Sequence, residues 1–255
     1  MTRSGLVLAI ALSVPALHLG AASAQSPTTL IGPTLHHDVI DVKEKKLLLT
    51  LHGWNEAAGD RPGEVTAMSL LAFPAGSVAE IRTHFTADTP PHCLSWHAVL
   101  RDRNGTELSS ASERIVPEAF PLLTKPLPPN AYPPLAPLAY VLARLGLGTA
   151  QEHTSIHFVL PNGSLIQMDL EVEGREMVEV PAGKFNTYRV RMHAKAETVF
   201  PNLPAVLMPV LSLFIPTQTV WLSTQEPQML VKFTGQMGPP GSPQLLVQLT
   251  RVDQQ

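Results

Sequence analysis

The chain has 255 residues, 44% of them hydrophobic, with 18 lysines and arginines against 21 aspartates and glutamates, and one cysteine. That apolar content excludes global disorder. A net charge of −3 argues against nucleic acid or an anionic membrane surface as partner, since both attract basic patches.

The first residues have the three parts of an export signal. Arg3 is the positive start, residues 6–19 are an apolar stretch, and Ala22-Ser23-Ala24 presents small side chains to a peptidase. Residues 1–24 are therefore expected to be removed, with cleavage before Gln25, leaving residues 25–255 as a single β-rich domain in the periplasm or outside the cell. The apolar stretch is shorter than the roughly 20 residues that span a bilayer, and Pro15 breaks its helix. Losing Arg3 leaves 17 basic residues against 21 acidic ones.

Short alternating segments then follow one another, joined by tight-turn signals. Residues 46–52 and 77–85 read as strands, although the stretch from 47 to 85 is less legible than the rest. Residues 95–102 and 106–116 flank Arg103-Asn104-Gly105, and residues 157–160 and 165–172 flank Pro161-Asn162-Gly163-Ser164. Asn-Gly favours hairpins because both residues tolerate positive φ. Ile166, Met168, Leu170 and Val172 share one face of a strand, while Gln167, Asp169 and Glu171 share the other. Tyr188, Val190, Met192 and Ala194 alternate in the same way with Arg189, Arg191 and His193. Residues 217–222, 229–234 and 244–252 complete a meander.

Two segments break this rhythm. Residues 117–137 contain eight prolines, which favours an extended connection. They run into a short helix over 138–147, ended near Gly146 or Gly148. Residues 203–216 are almost wholly apolar. Leu203, Val206, Leu207, Val210, Leu211 and Phe214 recur there at helical spacing, with Pro209 mid-segment. Exposed, such a segment would be an aggregation-prone patch, so it is expected to lie on the concave face of a curved sheet as a plug, or as a lid over an apolar ligand.

Glu179-Val180, the turn Pro181-Ala182-Gly183-Lys184, then Phe185-Asn186-Thr187-Tyr188-Arg189-Val190 form the most family-like part of the chain. With the Trp221 strand, Val231-Lys232-Phe233 and the turn-rich residues 238–243, this stretch resembles the domain-of-unknown-function 3108 family of bacterial envelope proteins. The resemblance covers residues 151–252. It implies a mainly β fold: a curved antiparallel sheet, half-barrel or open barrel, similar to periplasmic lipoprotein carriers, with one or two short helices packed on it. The family brings no catalytic residues. Pro181 and Gly183 are expected to be structural, with Gly183 at positive φ.

The chemistry-bearing residues give no motif. Pro181-Ala182-Gly183-Lys184 lacks the upstream glycine and following helix of a phosphate loop. No serine elbow or His-Glu-x-x-His is present. His36-His37-Asp38 with Asp41 offers zinc-type ligands close together, and His153 and His157 share one strand face. His52, His84, His92 and His97 are scattered, and spacing alone makes no metal site of them. Cys93 is most simply a buried small residue, with a nucleophile beside His92 and His97 as the alternative. Trp54, Trp96 and Trp221 stand in strand contexts where core packing is ordinary. Asn104 and Asn162 match glycosylation acceptors but coincide with turns.

The function expected from this is non-enzymatic: an exported envelope protein that binds a lipid or acyl chain, with no cofactor. A structural or protein-interaction domain with a filled core is the alternative, and a histidine-based metal hydrolase comes third.

Overall fold

The computed structural model describes residues 29–58, 61–120, 123, 126–134, 137–160, 163–236 and 242–254. The segment expected to be an export signal and the cleavage point expected before Gln25, Pro161-Asn162 of one turn, and residues 237–241 of another lie outside them. Thirteen strands follow in chain order: β1 Thr34–Asp41, β2 Lys46–Ala57, β3 Glu64–Ala72, β4 Val78–Thr86, β5 Cys93–Arg101, β6 Glu107–Arg114, β7 Ala131–Tyr132, β8 His153–Val159, β9 Leu165–Val180, β10 Gly183–Ala194, β11 Gln218–Ser223, β12 Leu230–Gln236 and β13 Gln244–Asp253. The helices are short: α1 Leu138–Arg144, α2 Ala196–Val199 and α3 Met208–Ser212, with single 3-10 turns at Pro117–Ala119 and Ala205–Leu207.

All thirteen strands form one curved, unclosed sheet in the order β6-β5-β4-β3-β2-β1-β13-β12-β11-β10-β9-β8-β7. Every pairing is antiparallel except β7 with β8. The first and last strands pair at its centre, Val39 opposite Val247, so two meanders share a single seam. The fold class expected from the sequence, a curved antiparallel sheet carrying short helices, is the one observed.

Sequence pattern explains why the sheet curls. Strand β4 alternates strictly, with Ala79, Ile81, Thr83 and Phe85 buried between half-exposed neighbours, so one face must be covered. The covering element is the connection from β6 to β7 and β8. Tyr140, Val141 and Leu142 of α1 are buried at three consecutive positions, which means the helix is enclosed on more than one side. The Tyr140 ring lies 4.9 Å from Phe85 of β4. The Tyr132 hydroxyl donates to the Pro91 carbonyl at 2.8 Å, and the Gln228 side-chain amide donates to the Leu147 carbonyl at 3.0 Å, just ahead of β12. Gly148 sits against Tyr188 of β10, where a Cβ would fall 2.3 Å from the ring. One segment thus touches both wings of the sheet and fills the space between them. Gly146 (φ +65°) and Gly148 (φ +78°) release the chain from α1, as expected for glycine past a helix end.

Among the strands that differ from the sequence reading are β1 and β9. β1 was not recognisable, because its histidines and aspartates hide the burial of His37, Val39 and Asp41 on one face. β9 is a 16-residue strand that runs on past the 165–172 read from the sequence, because Gly174 (φ +152°) absorbs a bulge opposite Arg189 and Val190 without ending the strand. The long β9–β10 hairpin ends in the Pro181 turn, with Gly183 at φ +130°. The Ala182 amide donates to the Leu249 carbonyl at 3.1 Å. Val178 and Val180 join Val231 and Leu249 in a second, smaller core. Of the tryptophans only Trp96 is fully buried. Trp54 bonds Glu56, and Trp221 stacks under Lys232 at 4.8 Å.

Candidate functional site

Between β10 and β11 the chain leaves the sheet for residues 195–217 and returns beside its point of departure. Thr198 fixes the exit: its hydroxyl donates to the Lys195 carbonyl at 2.8 Å and accepts the Gln167 amide at 3.1 Å. Pro204 precedes the 3-10 turn, Pro209 sits in the first turn of α3, and Ser212 bonds back to the Pro209 carbonyl at 2.8 Å. The prolines at 204, 209 and 216 divide the helically spaced residues 203–216 into short turns.

These turns form a cap with two different faces. Met208 and Ile215 are buried in the main core, and Leu211, Val199 and Phe200 pack partly against it. On the other side Val206 (80% exposed), Val210 (56%), Leu213 (82%) and Phe214 (68%) face solvent, with Leu203 and Leu207 at 44% each. Of the residues expected to lie on the concave face as a plug or lid, Leu203, Val206, Leu207, Val210 and Phe214 are exposed and Leu211 is partly buried. Helix α1 and the residues around it fill that space, and of the six only Leu211 reaches the core. The physical reason is that the segment is apolar on both sides, so periodicity could not say which side turns inward. From residue 198 to 225 the chain holds no Asp, Glu, Lys, Arg or His.

Beside the stems of this cap, on the solvent face of β8, β9 and β10, lies an open hollow of about 680 Å³. Its lining includes His153, Ser155, Asp169, Glu171, Arg191, His193 and Thr217. Strand register arranges them in two rungs: His153, Glu171, Arg191 and Thr219 in one, and Ser155, Asp169 and His193 in the next. Signs alternate across the rungs. Arg191 is paired to Glu171 and to Glu173, Lys195 stands 3.7 Å from Asp169, and His153 stands 3.9 Å from Glu171. The hydrogen bond from Arg191 holds the Glu171 carboxyl below its usual range. Sequence reading recognised the wet face of each strand separately. It could not see that the strand register brings these residues together, because nothing in the spacing of 153, 171 and 193 encodes the pairing.

The histidines divide between several places. His36 packs edge-on against His52 at 4.5 Å between ring centres, and its Nε2 lies 2.8 Å from Asp253 and 3.1 Å from Arg251. His37 points the other way, is buried, and donates from Nε2 to the Leu230 carbonyl at 2.8 Å. Asp41 caps the amides of Lys43 and Glu44. His84 bonds Thr66, and His157 bonds Asn130, each at 3.0 Å. Among the described residues no three His, Cys, Asp or Glu side chains come together in a way that could hold a metal ion. Cys93 is free and buried, and burial pushes its thiol up to about 12, which is wrong for a nucleophile at neutral pH.

No protein-family model matches the chain, so the resemblance to the domain-of-unknown-function 3108 family rests on its motifs alone. No curated protein matches either. Among solved structures the chain is similar to a β-barrel-like protein of domain of unknown function 1849 from Brucella abortus, at 12% identity and a TM-score of 0.46, covering 89% of this chain and 98% of that one. It is also similar to the lipoprotein LppX of Mycobacterium tuberculosis, at 10% identity and a TM-score of 0.31, covering 88% and 87%. Both are likenesses of overall build. No helix among the described residues is long and apolar enough to cross a membrane.

Proposed function

We propose that this is a non-enzymatic, exported envelope protein that binds an amphiphile with an acyl or similar apolar part. The observation carrying the reading is the two-sided cap: it is seated on the core by Met208 and Ile215, and it leaves Val206, Val210, Leu213 and Phe214 in water. An apolar patch maintained on an anchored element is a binding surface by default, and each leucine-sized side chain it buries in a complex contributes about 1.5–3 kcal/mol. The export signal in residues 1–24 supports an envelope setting. A second reading, a protein-interaction domain with a filled core, is favoured by the enclosed helix α1, since a sheet whose hollow side is occupied offers its outer surfaces alone.

Native mass spectrometry of protein purified from its own envelope tests the assignment. Co-purifying lipid is expected. A bound zinc ion would favour the hydrolase, and a protein partner without lipid would favour the interaction domain.

A further inference from the structure

The hollow on β8–β10 adjoins the cap at its stems, where Thr217 lines the hollow. Register places Arg191 opposite Thr219 and Met192 opposite Gln218, so His193 and Thr217 stand at the same level where the two stems of the cap leave the sheet. Both residues line the hollow. Thr217 is the last residue of the cap before β11, within a run of 28 residues, 198–225, that holds no charged side chain.

The charges in the hollow select what lies there. At neutral pH, Arg191 and the adjoining Lys195, 3.7 Å from Asp169, balance Asp169 and Glu171, so a simple anion or a simple cation gains no net attraction. What is left is an ordered pattern: an acidic column on β9 beside a basic column on β10. Neighbouring strands are about 4.8 Å apart, which is the reach between two opposite charges joined through a two-carbon link. The side chains are accessible for such exchange, with Arg191 at 48% exposure, Glu171 at 39% and Asp169 at 45%. Arg191 carries five N–H donors in a fixed fork, so it can hold Glu171 and still donate to a phosphate.

We infer that the hollow seats a zwitterionic lipid head group, an ammonium and a phosphate on a short link, whose acyl chain lies along the cap. The phosphate sits against Arg191 and His193, and the ammonium against Glu171 and Asp169. This rests on the amphiphile reading and adds the head-group class to it.

Calorimetric titration with three soluble probes tests it: dihexanoyl phosphatidylethanolamine, dihexanoyl phosphatidic acid with the same tails, and O-phosphoethanolamine as the head alone. The zwitterionic lipid is expected to bind at least about tenfold more tightly than the acid, the effect of one added charge-assisted hydrogen bond, and the head alone is expected to bind more weakly than either. Glu171→Gln is expected to bring the two lipids to equal affinity and Arg191→Gln to weaken both, while circular dichroism shows an unchanged sheet. Equal affinities in the wild-type protein, a preference that survives Glu171→Gln, or undiminished binding of both lipids by Arg191→Gln would overturn the head-group assignment and leave the apolar reading standing. Tight binding of O-phosphoethanolamine alone would also overturn it, since the site would then serve a free metabolite. If neither lipid binds and a fluorescent fatty-acid probe does not bind either, the amphiphile reading fails with it.

Discussion

Replacing one residue on each face of the cap separates anchor from binding surface. Met208 is 7% exposed and Leu213 is 82% exposed, although they are only five positions apart. Met208→Asp removes a packed side chain, at a cost of about 2–5 kcal/mol. It also leaves an unpaired carboxylate in an apolar site, which adds a penalty of at least about 1–3 kcal/mol. Against a typical total stability of about 5–15 kcal/mol, that variant is expected to unfold at much lower urea or not to accumulate at all. Leu213→Asp changes a side chain already in water and is expected to shift stability by no more than about 0.5 kcal/mol. Its effect falls on binding. Losing the burial of one leucine removes about 1.5–3 kcal/mol, which is roughly a tenfold to hundredfold loss of affinity. The assays are urea denaturation followed by circular dichroism and titration with a fluorescent fatty acid. Equal destabilisation by the two substitutions would show that the cap does not sit as described. Undiminished probe binding by a well-folded Leu213→Asp protein would remove the cap from the ligand site.

Three further outcomes follow from the packing. Gly148→Ala places a methyl group 2.3 Å from the buried Tyr188 ring at φ +78°; the combined backbone strain and overpacking is expected to cost about 2–4 kcal/mol, and an unchanged melting temperature would refute the contact. Because burial holds the Cys93 thiol at about 12, iodoacetamide at mildly alkaline pH is expected to leave the folded protein unlabelled and to label it fully in urea; rapid labelling of the folded protein would contradict that burial. Burial also holds His37, His52 and His157 below the ordinary imidazole value, so the unfolded chain takes up protons near its value of about 6.5 that the folded chain refuses. Stability is thus fully present above that pH and declines as pH falls below it; the urea midpoint should drop on acidification, less steeply in His37→Leu, and a pH-independent midpoint would refute the assignment.

How legible each element was depended on whether its pattern was one-sided. β9 and β10 were readable because Met168, Leu170, Val190 and Met192 alternate with charged residues, and a strand with one wet face carries its orientation in its sequence. The Asn104-Gly105 hairpin was readable from its turn, and Gly105 does adopt φ +84°. β3 was not, since Val65 to Ser69 are buried at five consecutive positions and a strand covered on both faces loses its alternation. The cap failed for a related reason: with apolar side chains all round, Met208 and Leu213 look equivalent until tertiary contacts distinguish them. The hollow was hidden differently. Glu171 and Arg191 were each visible as polar positions, but their pairing belongs to the register, which is set by the whole hairpin and its bulge at Gly174.

The enclosed helix also decides where a ligand can bind. To enter the concave side, an acyl chain would have to displace Tyr140, Val141, Leu142, Leu145 and Leu147, together with Phe120 and Tyr132, all 7% exposed or less. Each is held by about 1.5–3 kcal/mol of apolar burial, so expelling all seven side chains removes more than about 10 kcal/mol. A micromolar ligand supplies about 8 kcal/mol in total. The incoming chain would recover burial against the sheet wall, but the displaced segment would carry its own apolar surface into water, and its ties to Pro91 and Gln228 would be broken. That exchange is unfavourable unless something else covers the expelled segment. The cap requires no displacement, because its outward side chains are already in solvent and its inward ones stay seated. On the proposed reading, binding at the cap and the adjoining hollow would begin from the folded state as it stands, and for that reason the proposal places an amphiphile on the outer surface and not in the interior of the half-barrel.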